Sequence, residues 1–397
     1  MASAPPQFPA NGDVFPIKER LAAYPNLQHA LGDPWAKRQE SVHPAKSPYA
    51  LARWLRIDGY EPRLEMLERL LTTFKMAPSM GERRNRIRTD PKALIDTVVE
   101  LHFAAWLTQN NIRFEMTKVG ADFRVELAND AILPVEATTP RHAMWFDDLF
   151  TRFTYIKRTS GLSARWGFYA EDVSVREADE DSPRGVVNTA RIDDFLPDDV
   201  AEAILDGIVE ETLTNIAGLE SSATNGATGF TLARPEVGLR ADWWNDDSGY
   251  LSGASGARTP LVWGTWAEVR DAARYKVEKS KQLPSGQTSA LLVGTNQLDN
   301  GDLGYWADWV EREPDQWVPI KWETIPDHIK YVILYKVFWS HLEPQCALLL
   351  VNEASTYPDV PGFEDFRERM FPILYRKIPT KYRVWASTYR CFERKWL

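Results

Sequence analysis

The strongest patterning of apolar and polar positions lies between residues 94 and 140, and it predicts one long helix followed by three short strands. Over 94–107 the apolar residues Leu94, Ile95, Val98, Val99, Leu101, Phe103, Ala104, Ala105, Trp106 and Leu107 cover nearly the whole circumference, as in a helix buried on most sides. Glu100 stands in the middle of that run. An ionised carboxylate is seldom buried alone, so a basic side chain or a metal ion is expected to meet it. Over 121–127, Phe123, Val125 and Leu127 alternate with Asp122, Arg124 and Glu126, which turns Asp122 away from the apolar side of its strand. Over 132–139, Leu133, Val135 and Ala137 point one way and Glu136 and Thr138 the other. Gly120 and Asn129-Asp130 mark the turns. Adjacent strands lie roughly 5 Å apart, so Asp122 and Glu136 can converge at one end of a small sheet, and a helix packed over it could bring Glu100 to the same place. Three carboxylates at one point repel unless a divalent cation sits between them, and oxygen ligation suits Mg2+ or Mn2+.

Elsewhere the pattern is less regular. Residues 1–47, rich in proline and polar residues, predict a partly ordered arm with one short helix at 17–31. Apolar spacing over 48–76 predicts two amphipathic helices broken at Asp58-Gly59. The densest basic run, Arg83, Arg84, Arg86 and Arg88, precedes the helix of Glu100 and reads either as a solvated loop or as a nucleic-acid phosphate clamp. Residues 142–260 read largely as an insertion, with a short helix at 145–153, a strand at 165–175 and a helix at 198–217 with an acidic solvent face. The pairs Trp243-Trp244 and Trp263 with Trp266 read as packing residues, with a stacking platform for unpaired bases as the alternative. A helix at 266–282 and buried strands at 290–294, 331–339 and 346–351 close the pattern, and the basic segment 367–395 is a second candidate surface for a polyanion.

The helix-and-meander arrangement resembles the PD-(D/E)XK, or restriction-endonuclease-like, nuclease superfamily. Glu100 matches the helix acid, Asp122 in Gly-Ala-Asp-Phe the first strand acid, and Glu136 in Val-Glu-Ala-Thr the second; the motif's lysine position holds Thr138. The resemblance implies an α/β (α+β) fold, with a central mixed β-sheet flanked by helices, a helical N-terminal extension over 1–90, and a core over 91–397 interrupted at about 142–260. It implies a Mg2+-dependent deoxyribonuclease (or one using Mn2+), with Glu100, Asp122 and Glu136 as metal ligands. Nucleic acid is the expected partner, DNA ahead of RNA, with a defence or restriction role by analogy. A lysine-rich helix commonly follows the meander in such proteins, and Lys276 or Lys279 is the candidate to fill the space left by Thr138. Lys276 comes first, because it continues the inward face of Val269 and Ala273. The alternative is a nuclease-like fold without catalysis, serving as a binding or assembly subunit.

Composition narrows the classes. A 397-residue chain with 44% hydrophobic residues folds into a globular body, of two domains or one core with insertions. No apolar run reaches the roughly 18 residues of a membrane span and no signal peptide is recognisable, so a soluble, cytoplasmic protein with no membrane partner is expected. A homo-oligomer or a partner protein is left open. Two cysteines, Cys346 and Cys391, exclude a disulfide framework and a zinc knuckle and read as structural thiols. The net charge of −9 leaves phosphate binding to local patches. Gly-rich phosphate loops, Gly-x-Ser-x-Gly elbows and His-Glu-x-x-His motifs are absent. His102 reads as a hydrogen-bonded core residue and His142 as a candidate to line the site. Glycoside hydrolysis by paired carboxylates would not account for the helix-meander order.

Overall fold

The structure, a computed structural model, describes residues 14–139, 141–168, 198–221, 229–234, 239–244, 282–283, 285–294, 325–378 and 382–388, together with 273, 276, 277 and 322. Its helices are α1 (Ile17–Leu21), α2 (Pro25–Leu31), α3 (Asp33–Glu40), α4 (Ala50–Trp54), α5 (Glu61–Thr73), α6 (Met80–Thr89), α7 (Ala93–Gln109), α8 (Arg141–Ser160), α9 (Asp198–Ser221) and α10 (Phe363–Met370). Its strands are β1 (Phe114–Met116), β2 (Phe123–Glu126), β3 (Ile132–Thr138), β4 (Ser163–Phe168), β5 (Gly229–Arg234), β6 (Leu239–Trp244), β7 (Ser289–Gly294), β8 (Ile329–Lys336), β9 (Cys346–Asn352), β10 (Ile373–Ile378) and β11 (Tyr382–Ala386). The fold is mixed α/β, with a large mixed sheet flanked by helices.

The chain divides into two units. One comprises residues 24–32, 61–146 and 265–397 and carries an eight-stranded sheet in the order β1-β2-β3-β7-β8-β9-β11-β10. β3, β7 and β8 run parallel, and the other pairs are antiparallel. β7, β8 and β9 are buried at every position, which is why they read as continuous apolar runs rather than alternating ones. The tight β2–β3 connection uses Asn129 and Asp130, both left-handed at φ 62° and 59°. Helix α7 packs on β1 and β3, with α5 and α6 against it. Phe103 of α7 meets Phe123 and Tyr335 edge-on at centroid distances of 5.4 and 5.7 Å. The short helix α2 is held from α5, whose Glu68 accepts the Asn26 and Leu27 backbone N–H groups at 3.0 and 2.8 Å. Those first-turn donors have no partner within their own helix.

The other unit comprises residues 1–23, 33–60 and 147–264. Its strands form an antiparallel sheet in the order β4-β6-β5. The fully buried Arg53 of α4 donates to Thr151 of α8 at 2.9 Å and pairs with Asp148, which Arg152 also meets at 2.7 Å. Arg152 reaches Asp206 of α9 at 2.7 Å. The acidic face of α9, expected to be solvated, carries ion pairs: Glu210 with Lys46 at 2.5 Å and Glu211 with Arg234. Trp243 is buried between Phe153 and Phe230 and is a core residue; Trp263 and Trp266 lie outside the described residues.

Several expectations are corrected. The arm holds three helices rather than one, separated at Tyr24-Pro25 and at Gly32, whose φ is +76°. Such short helices are set by packing of Leu21, Leu27, Leu31 and Trp35, which propensity alone does not signal. The basic run is a helix, not a loop, because Met80, Arg83 and Ile87 share its buried face. The expected boundary at residue 90 does not separate the units, since 61–146 stays together. Strands β5, β6, β10 and β11 were not anticipated, and β11, inside the segment taken as a basic surface, pairs with β9. There, Arg367 lies over the Trp385 ring and Arg383 pairs with Glu353. Cys346, expected as a thiol, is disulfide-bonded. Most of the helix expected at 266–282 lies outside the described residues. No helix among the described residues is long and apolar enough to cross a membrane.

The aromatic cluster around α7 should dominate the stability of its unit. Phe103→Ala removes a fully buried ring and should cost about 3–5 kcal/mol in urea unfolding; a loss under about 1 kcal/mol would contradict this packing.

Candidate functional site

The β2–β3 register opposes Phe123 to Val135 and so sets Asp122 beside Glu136. The Asp122 backbone N–H donates to Glu136 Oε2 at 3.0 Å, and the Ala137 N–H donates to Asp122 Oδ2 at 3.0 Å. Each carboxylate is thus fixed by the other's strand, which sets both side chains without a rotamer search. Glu136 is fully buried.

Lys276, in a helical stretch preceding β7, brings Nζ to 2.5 Å from Glu136 Oε1. Thr138 ends β3 opposite Val293. A lysine from another element therefore meets the strand acid. Lys279 lies outside the described residues, as does the side chain of His142.

Glu100 projects from α7 at 2% exposure, and both its oxygens face arginines of α6. Arg83 Nε donates to Oε2 at 2.6 Å and Arg86 Nη1 to Oε1 at 3.2 Å. Arg83 Nη2 lies 3.8 Å from Asp122 Oδ1 and links the helix acid to the strand acid. Glu100 meets basic side chains at both oxygens, one of the two kinds of partner expected of it, and Arg83 and Arg86 turn toward the acids rather than standing as a solvated loop. Arg88 bonds Asn85 on the exposed surface, and half-buried Arg84 makes no contact with the acids. Alternation along one helix explains the split: positions three apart share a face, and their neighbours do not.

Sequence reasoning missed Asp96. It sits one turn before Glu100 on α7, with Oδ1 buried and the carboxyl facing the hydroxyl of Thr139. The i, i+4 spacing of the two acids was the available signal. Burial, with Glu100 adding to it and the Thr139 hydroxyl working against it, pushes the Asp96 carboxyl from its ordinary 3.8 up to about 6. Burial also raises the Asp122 carboxyl well above its ordinary value, with the charges of Glu100 and Glu136 acting the same way. Glu136 is raised by burial despite Lys276. For Lys276, burial works against the charge, but Glu136 and Asp122 outweigh it and hold the ammonium above its ordinary value. His102 is bonded to Tyr335 Oη at 2.6 Å and to the His341 carbonyl at 2.8 Å, and burial lowers it to about 4, so it is a neutral core residue.

Among the described residues, four acids (Asp96, Glu100, Asp122, Glu136) face three cations (Arg83, Arg86, Lys276), a surplus of one negative charge when all four acids are ionised. No group of three or more His, Cys, Asp or Glu side chains among them is arranged to hold a metal ion. The cross-bonded pair Asp122 and Glu136 nevertheless offers a hard, all-oxygen donor set in a negatively charged corner, which suits Mg2+ or Mn2+. No protein-family model, curated protein or solved structure matches the chain.

The raised carboxyl of Asp96 has a direct consequence for stability. Below pH 3.8 it is protonated in both folded and unfolded chains and costs nothing; between 3.8 and about 6 the unfolded chain ionises first, so the folded state loses stability as pH rises. Asp96→Asn should therefore gain on the wild type in urea unfolding at pH 8, with the gain shrinking toward pH 4. A difference independent of pH would refute the assignment.

Proposed function

We propose that this chain is a divalent-metal-dependent hydrolase of phosphodiester bonds in nucleic acid, built on a restriction-endonuclease-like core. The observation that carries the reading is the contact of Lys276 with Glu136, itself cross-bonded to Asp122. It supports the reading because an acid pair with an ammonium alongside is the donor set that orients water against a phosphate. The order of elements supports it as well. A buried helix leads into an antiparallel meander, and the third strand of that meander pairs in parallel with a later strand entered from the lysine-bearing helical stretch. DNA is assigned ahead of RNA on the same resemblance.

Asp122 and Glu136 would hold the ion. A bound Mg2+ or Mn2+ supplies Lewis acidity toward a phosphoryl oxygen and lowers the pKa of coordinated water. Lys276 provides a positive charge beside Glu136, at the place the motif lysine would fill from position 138. Catalysis requires that charge at a point in space, not at a point in the sequence. Arg86, whose side chain is 35% exposed, is the arginine of the pair open to a phosphate oxygen. A second reading, a nuclease-like binding or assembly subunit without turnover, is favoured by the arginines on Glu100, which occupy the helix acid.

Plasmid and single-stranded DNA incubated with the protein and Mg2+ or Mn2+ should be cut, and chelator, Asp122→Ala or Glu136→Ala should abolish cutting. Lys276→Ala should slow cleavage by about 10²–10³-fold, and adding Thr138→Lys to that variant should restore part of the rate. Absence of cleavage under every condition, together with no metal-dependent rise in Tm, would leave the subunit reading in its place.

A further inference from the structure

Arg83 is buried to 3% exposure, with Nε 2.6 Å from Glu100 Oε2 and Nη2 3.8 Å from Asp122 Oδ1. One fixed positive charge thus spans the helix acid and the first strand acid. Asp122 is divided between two neighbours: Oδ2 accepts from Ala137 on the β3 side, and Oδ1 faces Arg83. Sites that use two ions hold them about 3.5–4 Å apart, around acids that both can reach. Here the space between Glu100 and Asp122 is filled by a guanidinium.

We infer that the site takes one divalent ion, on Asp122 and Glu136, and that Arg83 stands where a second ion would sit against Glu100 and Asp122. The inference rests on the proposed function. Charge balance argues for it. With all four ionised, the acids Asp96, Glu100, Asp122 and Glu136 exceed Arg83, Arg86 and Lys276 by one negative charge, so one dication leaves one positive charge, which a phosphodiester cancels. A second dication would leave three positive charges in a buried corner, a costly excess in low dielectric. An arginine also differs from an ion in kind: it is always charged and fixed in geometry, and it brings no exchangeable water. Arg83 acts through Glu100 and Asp122 and is a positioning residue.

The test is Mn2+ binding to the full chain by calorimetry, with electron paramagnetic resonance on the same samples. The wild type and Arg86→Gln should each bind one tight Mn2+, and Arg83→Gln, which frees Glu100 Oε2 and one face of Asp122, should bind two. Arg83→Lys, which keeps a cation in place, should return to one. Two ions in the wild type, or one still in Arg83→Gln, would overturn the inference and leave the metal reading standing; no bound ion in the wild type would overturn both. Should Arg83→Gln fail to fold, the wild type decides alone: at saturating Mn2+ the inference requires the signal of an isolated ion, and an exchange-coupled pair sinks it.

Discussion

Negative charge buried in one corner of a sheet is the constraint on which this arrangement depends. Asp96, Glu100, Asp122 and Glu136 would each prefer water, and the upward shifts of Asp96, Asp122 and Glu136 show burial working against ionisation. Three devices hold them. Backbone N–H groups of neighbouring strands fix Asp122 and Glu136; Lys276 meets Glu136; Arg83 and Arg86 meet Glu100. Desolvating each ion costs several kcal/mol, and the packing of α7 offsets it. Its Leu101, Phe103, Leu107 and their neighbours are buried, at about 1.5–3 kcal/mol each.

The same constraint explains why the site is assembled from separate elements. A strand alternates its side chains, so β3 can present Glu136 but offers only Thr138 two residues on. Because β3 pairs in parallel with β7, the chain must cross over before β7, and the segment leading into β7 delivers Lys276. The cation is supplied by topology where local sequence lacks it.

Helix α6 makes a similar point for the arginines. A cluster of like charges in sequence suggests a solvated surface, yet the helix sorts it by face: Arg83 turns inward with Met80 and Ile87, while Arg88 stays exposed. What reads as one basic patch is in three dimensions an inner pair bound to Glu100 and an outer residue bound to Asn85.

Period and composition alone were enough to identify α7, the meander β1–β3 and the buried strands β7, β8 and β9, because a buried helix, an alternating strand and a fully buried strand each impose a repeat that a few residues reveal. The same patterning singled out Glu100, a charged side chain on an otherwise apolar helix, and set Asp122 and Glu136 on the polar faces of their strands, while Lys276 came into view only through the family resemblance. Not legible were the short helices α1 to α3, strands β10 and β11, the helical state of the basic run, and the place of Asp96. Only tertiary structure decided which cation meets which acid. Arg83 and Glu100 are 17 positions apart, and Lys276 and Glu136 are 140 apart. Charge pairing across such separations depends on how elements pack, and no local repeat encodes it.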